Sequence, residues 1–436
     1  MNQTTASVPP ATPDKSATMV RATVAGTIGN VLEWYDFSVY GYLVTAIGAA
    51  FFPKASTLAQ VLFTFGIYGV GFFMRPVGSI VIGAYGDRAG RRAALTLTVG
   101  LMGVATMLIG FLPTYDTLGV WAPLLLILMR LVQGFSGGGE WGGAATFLVE
   151  FAPTGRRGYI GSWQQFSVGA GFLLGSGFVY LLTTTLGADA MAAWGWRIPF
   201  LCGIFVAGFA LYFRLRLPDT PEFVALEQKH TVSKQPLREL VVEHWEDLIT
   251  QFGITIHNTA SYYITLQYMQ SWLVSVVKMA PSAALLINTI GLVGLAIATP
   301  FIGAWSDRIG RKPLLIASCV GFIVLAYPGY WLASGGQFWT VLVVQVILVL
   351  LVCTYSACVP ATYAELFPTR VRYSGLSIGY NLAVMLFGGF APFIATWLVA
   401  ATGSIYSPTF YVIAGAAITL VFVLRMRESA FAPLKS

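Results

Sequence analysis

GAYGDRAGRR, residues Gly83–Arg92, returns 220 residues later as GAWSDRIGRK, residues Gly303–Lys312. The Gly, Asp, Arg, Gly and Arg keep their places, and each copy sits between two apolar runs. A second pair supports the first. Glu150, Pro153, Thr154, Arg157 and Ser162 reappear as Glu365, Pro368, Thr369, Arg372 and Ser377, all offset by 215. Repetition in the same orientation implies a duplicated unit, each copy holding about six apolar segments.

The composition says where those segments lie. With 56% hydrophobic residues, 10% charged residues and a mean hydropathy of +0.73, the chain is far from a soluble globular protein, in which about 25% of residues are charged. Apolar segments fall near residues 22–50, 59–83, 93–112, 121–149, 159–185, 196–214, 248–276, 283–305, 314–333, 339–362, 375–401 and 409–426. Each is long enough to cross a bilayer as a helix. The expected fold is therefore an all-α integral membrane protein, twelve transmembrane helices in two six-helix pseudo-repeat bundles. Of the 25 Lys and Arg residues, 20 fall in the seven segments that are cytoplasmic if the N-terminus is cytoplasmic. The positive-inside rule then puts both ends in the cytoplasm. The expected division is a disordered cytoplasmic tail over 1–20, an N-terminal bundle over 21–214, a cytoplasmic linker over 215–247, a C-terminal bundle over 248–427 and a tail over 428–436. The net charge of +7 is spread through short clusters between spans, which argues against a nucleic-acid partner. Cys202, Cys319, Cys353 and Cys358 sit in apolar runs without metal-site spacing and read as buried small hydrophobes.

Inside the first apolar segment lies GNVLEWYDF, Gly29–Phe37. Asn30, Glu33 and Asp36 recur at steps of three and make a staggered polar stripe on a helix. Charge at bilayer depth is costly and normally faces a bundle interior or a cavity. Partners at similar depth are Arg75, Arg130 and Glu140, so these residues are expected to form one site or relay. Arg130, Gln133 and Glu140 share one broad face of the fourth segment, and Arg75 shares a face with Tyr68. Five ionisable groups leave such a pocket nominally at −1. In the second half no charge lies at membrane depth; His257, Asn258, Tyr262, Tyr263 and Gln267 decorate the seventh segment instead. The Gly-rich run Gly134–Gly143 lacks the Gly-Lys-Ser/Thr ending of a phosphate loop and points to close helix packing.

The two loop motifs, together with Arg130-x-x-Gln133-Gly134, resemble the major facilitator superfamily. Within it GNVLEWYDF, RPVG at Arg75–Gly78, QGFSGGGE at Gln133–Glu140, WGWRIPF at Trp194–Phe200 and AELFPTRVRYSG at Ala364–Gly375 look like the metabolite:proton symporters, whose members carry citrate, α-ketoglutarate, shikimate, and proline or betaine. The resemblance implies a proton-driven carrier and links the position of Arg130 to proton coupling. It also implies a monomer.

Arg75, Arg130, Gln133, Tyr68, Asn30, His257, Tyr262 and Gln267 are then expected to bind substrate. Glu33, Asp36 and Glu140 are expected to couple protons, since a carboxylate in a low-dielectric cavity changes protonation as an arginine comes and goes. Asp87, Arg88, Arg91, Asp307, Arg308 and Arg311 are expected to form a gate whose contacts exist in one state and break in another. The expected function is a proton symporter of a bacterial cytoplasmic (inner) membrane that imports a small organic anion, a di- or tricarboxylate such as citrate or α-ketoglutarate, by alternating access. A zwitterion such as proline or betaine ranks second, because the chain ends about ten residues after its last apolar segment, too short for the C-terminal coiled coil that osmosensing relatives can carry. Export of an anionic drug or metabolite by proton antiport ranks third. No nucleophile–base pair or metal-ligand spacing points to an enzyme, a metal or another cofactor. The expected partners are the organic acid, protons and membrane lipid.

Overall fold

A computed structural model of the chain describes residues 15–216, 219–229, 233 and 235–435; residues 1–14 of the expected tail lie outside them. Among the described residues the regular structure is helical, with no strand. Twelve long helical segments follow one another. Span 1 runs Lys15–Tyr42 and, after a break at Leu43, Val44–Phe51. Spans 2 to 6 are Thr57–Ala89, Arg91–Phe111, Trp121–Phe151, Arg157–Leu186 and Arg197–Leu215. Span 7 is Trp245–Tyr263, a π-helical turn at Ile264–Tyr268 and Met269–Ser275. Spans 8 and 9 are Pro281–Ile309 and Lys312–Ala333. Span 10 is Phe338–Ser356 with Val359–Leu366, span 11 Arg372–Phe387 with Ala391–Thr402, and span 12 Ser407–Arg425. Ten of these are apolar enough to cross a membrane by length and composition alone. The other two are spans 1 and 7, the first of each half, and they carry the polar residues noted above. Those residues are paired or buried inside, which is what lets them sit in a membrane.

The halves meet along matching pairs of helices. Span 2 packs on span 11, and its repeat partner span 8 packs on span 5. Glycine permits the closest approach within the N-terminal bundle. A Cβ on Gly138 would stand 2.7 Å from the backbone nitrogen of Ser79, so the Gly-rich run is packing surface as expected. The duplicated loops also fold alike. Gly90 and Gly310 both turn the chain with φ of 98°, a conformation open to glycine at little cost, which explains the fixed glycine in each copy.

The linker is more ordered than its polar composition suggests. It holds helices Pro221–Gln228 and Pro236–Glu243, the first capped by the Thr220 side chain, which accepts from Phe223 N at 3.3 Å. The helix of span 1 already begins at Lys15, within the stretch expected to be a disordered tail.

Candidate functional site

The centre of the N-terminal bundle holds two ion pairs with no exposure to solvent. Asp36 accepts from Arg130 Nη1 at 2.9 Å, from Gln133 Nε2 at 2.7 Å and from Thr106 Oγ1 at 2.9 Å. Arg130 also donates to Gln133 Oε1 at 2.8 Å, and its guanidinium lies 4.7, 4.4 and 5.4 Å from the ring centres of Phe37, Tyr40 and Tyr68. Glu33 pairs with Arg75. Arg75 lies 5.1 Å from the Phe37 and Phe72 rings and 5.7 Å from Trp34, and it donates to Asn381 Oδ1 of span 11 at 3.4 Å. Charge is thus held by aromatic faces and by the opposite half together.

The C-terminal bundle closes this centre with neutral groups. Tyr262 and Tyr263 join Trp34, Phe72 and Phe172 in one buried aromatic cluster: Trp34 lies 5.6 Å from Phe172, 6.4 Å from Tyr262 and 6.5 Å from Tyr263, and Phe72 lies 5.8 Å from Tyr263. Within it Trp34 Nε1 and the hydroxyls of Tyr262 and Tyr263 are buried without a hydrogen-bond partner, as is the neighbouring Arg75 Nε. Buried donors of this kind are costly unless something satisfies them. Gln267 crosses between the bundles and donates to the Tyr68 hydroxyl at 3.0 Å.

At the end of the bundles that carries the two loop motifs, the repeats build one latch twice. Asp87 accepts from the backbone N–H groups of Tyr373 and Ser374, at 3.2 and 2.9 Å, at the start of span 11. Asp307 accepts from Gly158 and Tyr159, both at 2.8 Å, at the start of span 5. Each carboxylate therefore caps a helix of the other half, where the helix dipole favours it. Glu150 bridges Arg91 of its own half, at 3.4 Å, and Arg372 of the other, at 2.9 Å. Glu365 bridges Arg311 at 3.2 Å and Arg157 at 3.6 Å. The stretches that follow spans 6 and 12 complete the symmetry. Asp219 accepts from Arg91 N at 3.0 Å and Thr220 donates to Glu150 at 2.6 Å; Glu428 accepts from Arg311 N at 3.0 Å and Ser429 donates to Glu365 at 2.6 Å. Burial opposes the charge on Glu428, yet the N–H groups of Arg311, Ala430, Lys312 and Ser429 hold its carboxyl below the usual range. Glu222 is pushed up to about 7, first by burial and then by the Glu150 carboxylate beside it.

A family model described as sugar (and other) transporter matches residues 22–252, and one described as Major Facilitator Superfamily matches residues 252–435. The chain belongs to the major facilitator superfamily. This facilitator is 36% identical to the glycine betaine/proline/ectoine/pipecolic acid transporter OusA of Dickeya dadantii, over 95% of this chain and 84% of the relative. It is 35% identical to the proline/betaine transporter of Escherichia coli K12, over 95% and 85%. With the citrate-proton symporter of Klebsiella pneumoniae the identity is 36%, over 88% and 86%. The resemblance to metabolite:proton symporters stands on these relatives. The fold is that of the E. coli proton:xylose symporter XylE bound to 6-bromo-6-deoxy-D-glucose, with a TM-score of 0.82 and 18% identity over 97% of this chain and 98% of that one.

Of the residues expected to make one site, the facilitator brings together Glu33, Asp36, Arg75, Arg130, Gln133 and Tyr68, with Gln267 and Tyr262 facing them from span 7. Two others, Asn30 and His257, are placed elsewhere, and Glu140 stands at the edge of the site. Asn30 donates to Gln164 O and Ser167 Oγ at 3.2 and 2.8 Å and braces span 1 against span 5. His257 contacts Ser318 at 3.2 Å and the rings of Phe322 and Tyr355, inside the C-terminal bundle. Glu140 pairs with Arg214 and accepts from Thr98. The gate also differs from expectation: Arg88 and Arg308 are exposed and make no ion pair among the described residues, because they point away from the seam that Arg91 and Arg311 enter. The residues that centre the latch, Glu150 and Glu365, were visible only as members of the 215-residue repeat. Arg214, Asp219 and Glu428 passed as ordinary loop charge; their signal was their place directly after the last span of each half. Glu239, Glu243 and His244 of the linker have ligand atoms within 4.8 Å of one another, but Glu239 is already tied to Arg370 at 3.1 Å.

Proposed function

We propose that this facilitator is a proton symporter that takes up a small zwitterion of the proline or betaine type across a bacterial cytoplasmic membrane, with both termini in the cytoplasm. The charge balance of the buried core carries this reading. Arg75 is paired with Glu33, Arg130 with Asp36 and Arg214 with Glu140, so three cations meet three carboxylates and the net charge is zero. A site without surplus positive charge has nothing to neutralise a di- or tricarboxylate, whereas a zwitterion adds no net charge. The aromatic cluster supports the same cargo, since Trp, Tyr and Phe faces attract a quaternary or secondary ammonium. The names of OusA and of the E. coli relative agree with it.

In the proposed cycle, protonation of Glu33 releases the Arg75 fork to hold the substrate carboxylate, while the ammonium end rests on Trp34, Tyr262 and Tyr263. Protonation of Asp36 loosens its hold on Arg130 and Gln133, which couples proton binding to the packing of spans 1 and 4. The name of the Klebsiella relative supports the use of protons and keeps citrate as the second reading. Titration calorimetry of the purified protein with glycine betaine, proline and citrate tests the choice. The zwitterions are expected to bind and citrate not. Trp34→Ala is expected to weaken glycine betaine by roughly 2- to 30-fold, the worth of about 0.5–2 kcal/mol of cation–π attraction. Citrate binding without zwitterion binding would reverse the assignment.

A further inference from the structure

The third ion pair, Glu140 with Arg214, takes no part in the central network. Its position relative to Glu33 is nevertheless fixed from both sides. Gly29 lies one helical turn before Glu33 on span 1, and Gly137 one turn before Glu140 on span 4, which runs the opposite way. A Cβ on Gly137 would stand 3.1 Å from Glu33 Oε1, and one on Gly29 would stand 2.6 Å from Glu140 Oε1. The two carboxyls therefore lie along the same contact of spans 1 and 4, with the Arg75 and Arg214 guanidinium groups beside them. Gly29, Thr98, Val99, Met102, Ser136 and the two glutamates line one tightly packed gap with no room for a water molecule. Its walls carry hydroxyls: Thr98 donates to Glu140, and Ser136 donates to Thr98 O at 2.6 Å. Glu140 is on the cytoplasmic side of Glu33, because Arg214 closes span 6 just before the linker.

We propose that Glu140 is the cytoplasmic station of the transported proton, handing on what Glu33 receives. The step balances as a proton transfer without redox chemistry. The O–H bond of Glu33 breaks, leaving a carboxylate paired with Arg75, and an O–H bond forms on Glu140. Its ion pair with Arg214 opens as the carboxyl becomes neutral, and the proton then leaves to the cytosol. The titratable or charged groups that face Glu140 are Arg214 from span 6, Glu33 from span 1 with its Arg75 partner from span 2, and the Tyr373 phenol of span 11, which donates to Gly139 O at 2.9 Å. The inference rests on the proton role proposed above for Glu33.

The test uses full-length protein in proteoliposomes with labelled glycine betaine and proline. Glu140→Gln is expected to lose accumulation driven by an inward proton gradient while exchange at equal pH persists, and Glu140→Asp is expected to restore accumulation. Loss of both activities in the folded Gln variant, or retention of both, would overturn the proposal. Should Glu140→Gln not fold, Thr98→Val keeps both carboxyls and is expected to slow accumulation but not exchange; equal slowing of the two would count against the relay. An arm without substrate separates this proposal from the cargo assignment. Infrared difference spectra between acid and alkaline pH are expected to show protonated-carboxyl bands, of which one is lost in Glu33→Gln and another in Glu140→Gln, each variant shifting the titration of the other's band. Independent titration of the two would overturn the relay even if the cargo is right. If wild-type protein carries neither zwitterion, the cargo assignment fails and the infrared result still decides the relay.

Discussion

Glu150→Gln should open the latch. Among the described residues Glu150 is the carboxylate partner of Arg372, which is otherwise held by the carbonyls of Ala364, Phe367 and Lys435 at 2.9, 3.2 and 2.8 Å. Arg91 would keep Asp87 at 3.0 Å, so one buried arginine, not two, loses its counter-ion. Removing one partner of a buried pair costs about 3 kcal/mol at the low end of the usual range. That cost falls on the closed form alone, because opening brings both arginines to water. A difference of about 3 kcal/mol is roughly a hundredfold shift toward the inward-open form. Spin labels at Arg88→Cys and Arg308→Cys, both exposed and on opposite bundles, report the separation by double electron–electron resonance in a background lacking Cys202. A longer cytoplasmic distance is expected in the variant than in the wild type. An unchanged distribution in a folded variant would refute the idea that Glu150 holds the halves together.

Further outcomes are expected at other points. Asp36→Asn removes the ionisable group from Arg130, Gln133 and Thr106, and should abolish gradient-driven uptake while exchange at equal pH survives; uptake that still follows the proton gradient would exclude Asp36 from coupling. The same spin-label pair should respond to cytoplasmic pH through Glu222. Its carboxyl sits at about 7 in the closed latch, against 4.5 ordinarily, so the closed form binds the proton more tightly. Closure is then favoured at low pH, weakens as pH rises above about 4.5 and levels off above about 7. Glu222→Gln should abolish that part of the dependence, and a pH response identical to wild type would rule Glu222 out.

Much of this architecture was legible because duplication and charge are written locally. GAYGDRAGRR and its copy announced two bundles, and the spacing of Glu33, Asp36, Arg75, Arg130 and Gln133 announced a buried polar centre. Pairing was not legible, since it depends on which faces of distant spans meet. Arg214 looked like an orienting charge at a helix end, and leaving it out made the pocket −1 where three ion pairs make it neutral. Likewise the clustering of Trp34, Phe37 and Phe72 could not be read from any one segment, since spans 1, 2, 5 and 7 together bring the aromatic rings into contact. His257 and Asn30 were polar for a different reason, as internal braces between helices of the same bundle.

Uptake into proteoliposomes tests the central claim most directly. Labelled glycine betaine, proline and citrate are presented with and without an inward proton gradient. Accumulation of glycine betaine or proline only in the presence of the gradient, with citrate left outside, is the predicted result. Gradient-driven accumulation of citrate with neither zwitterion taken up would contradict it.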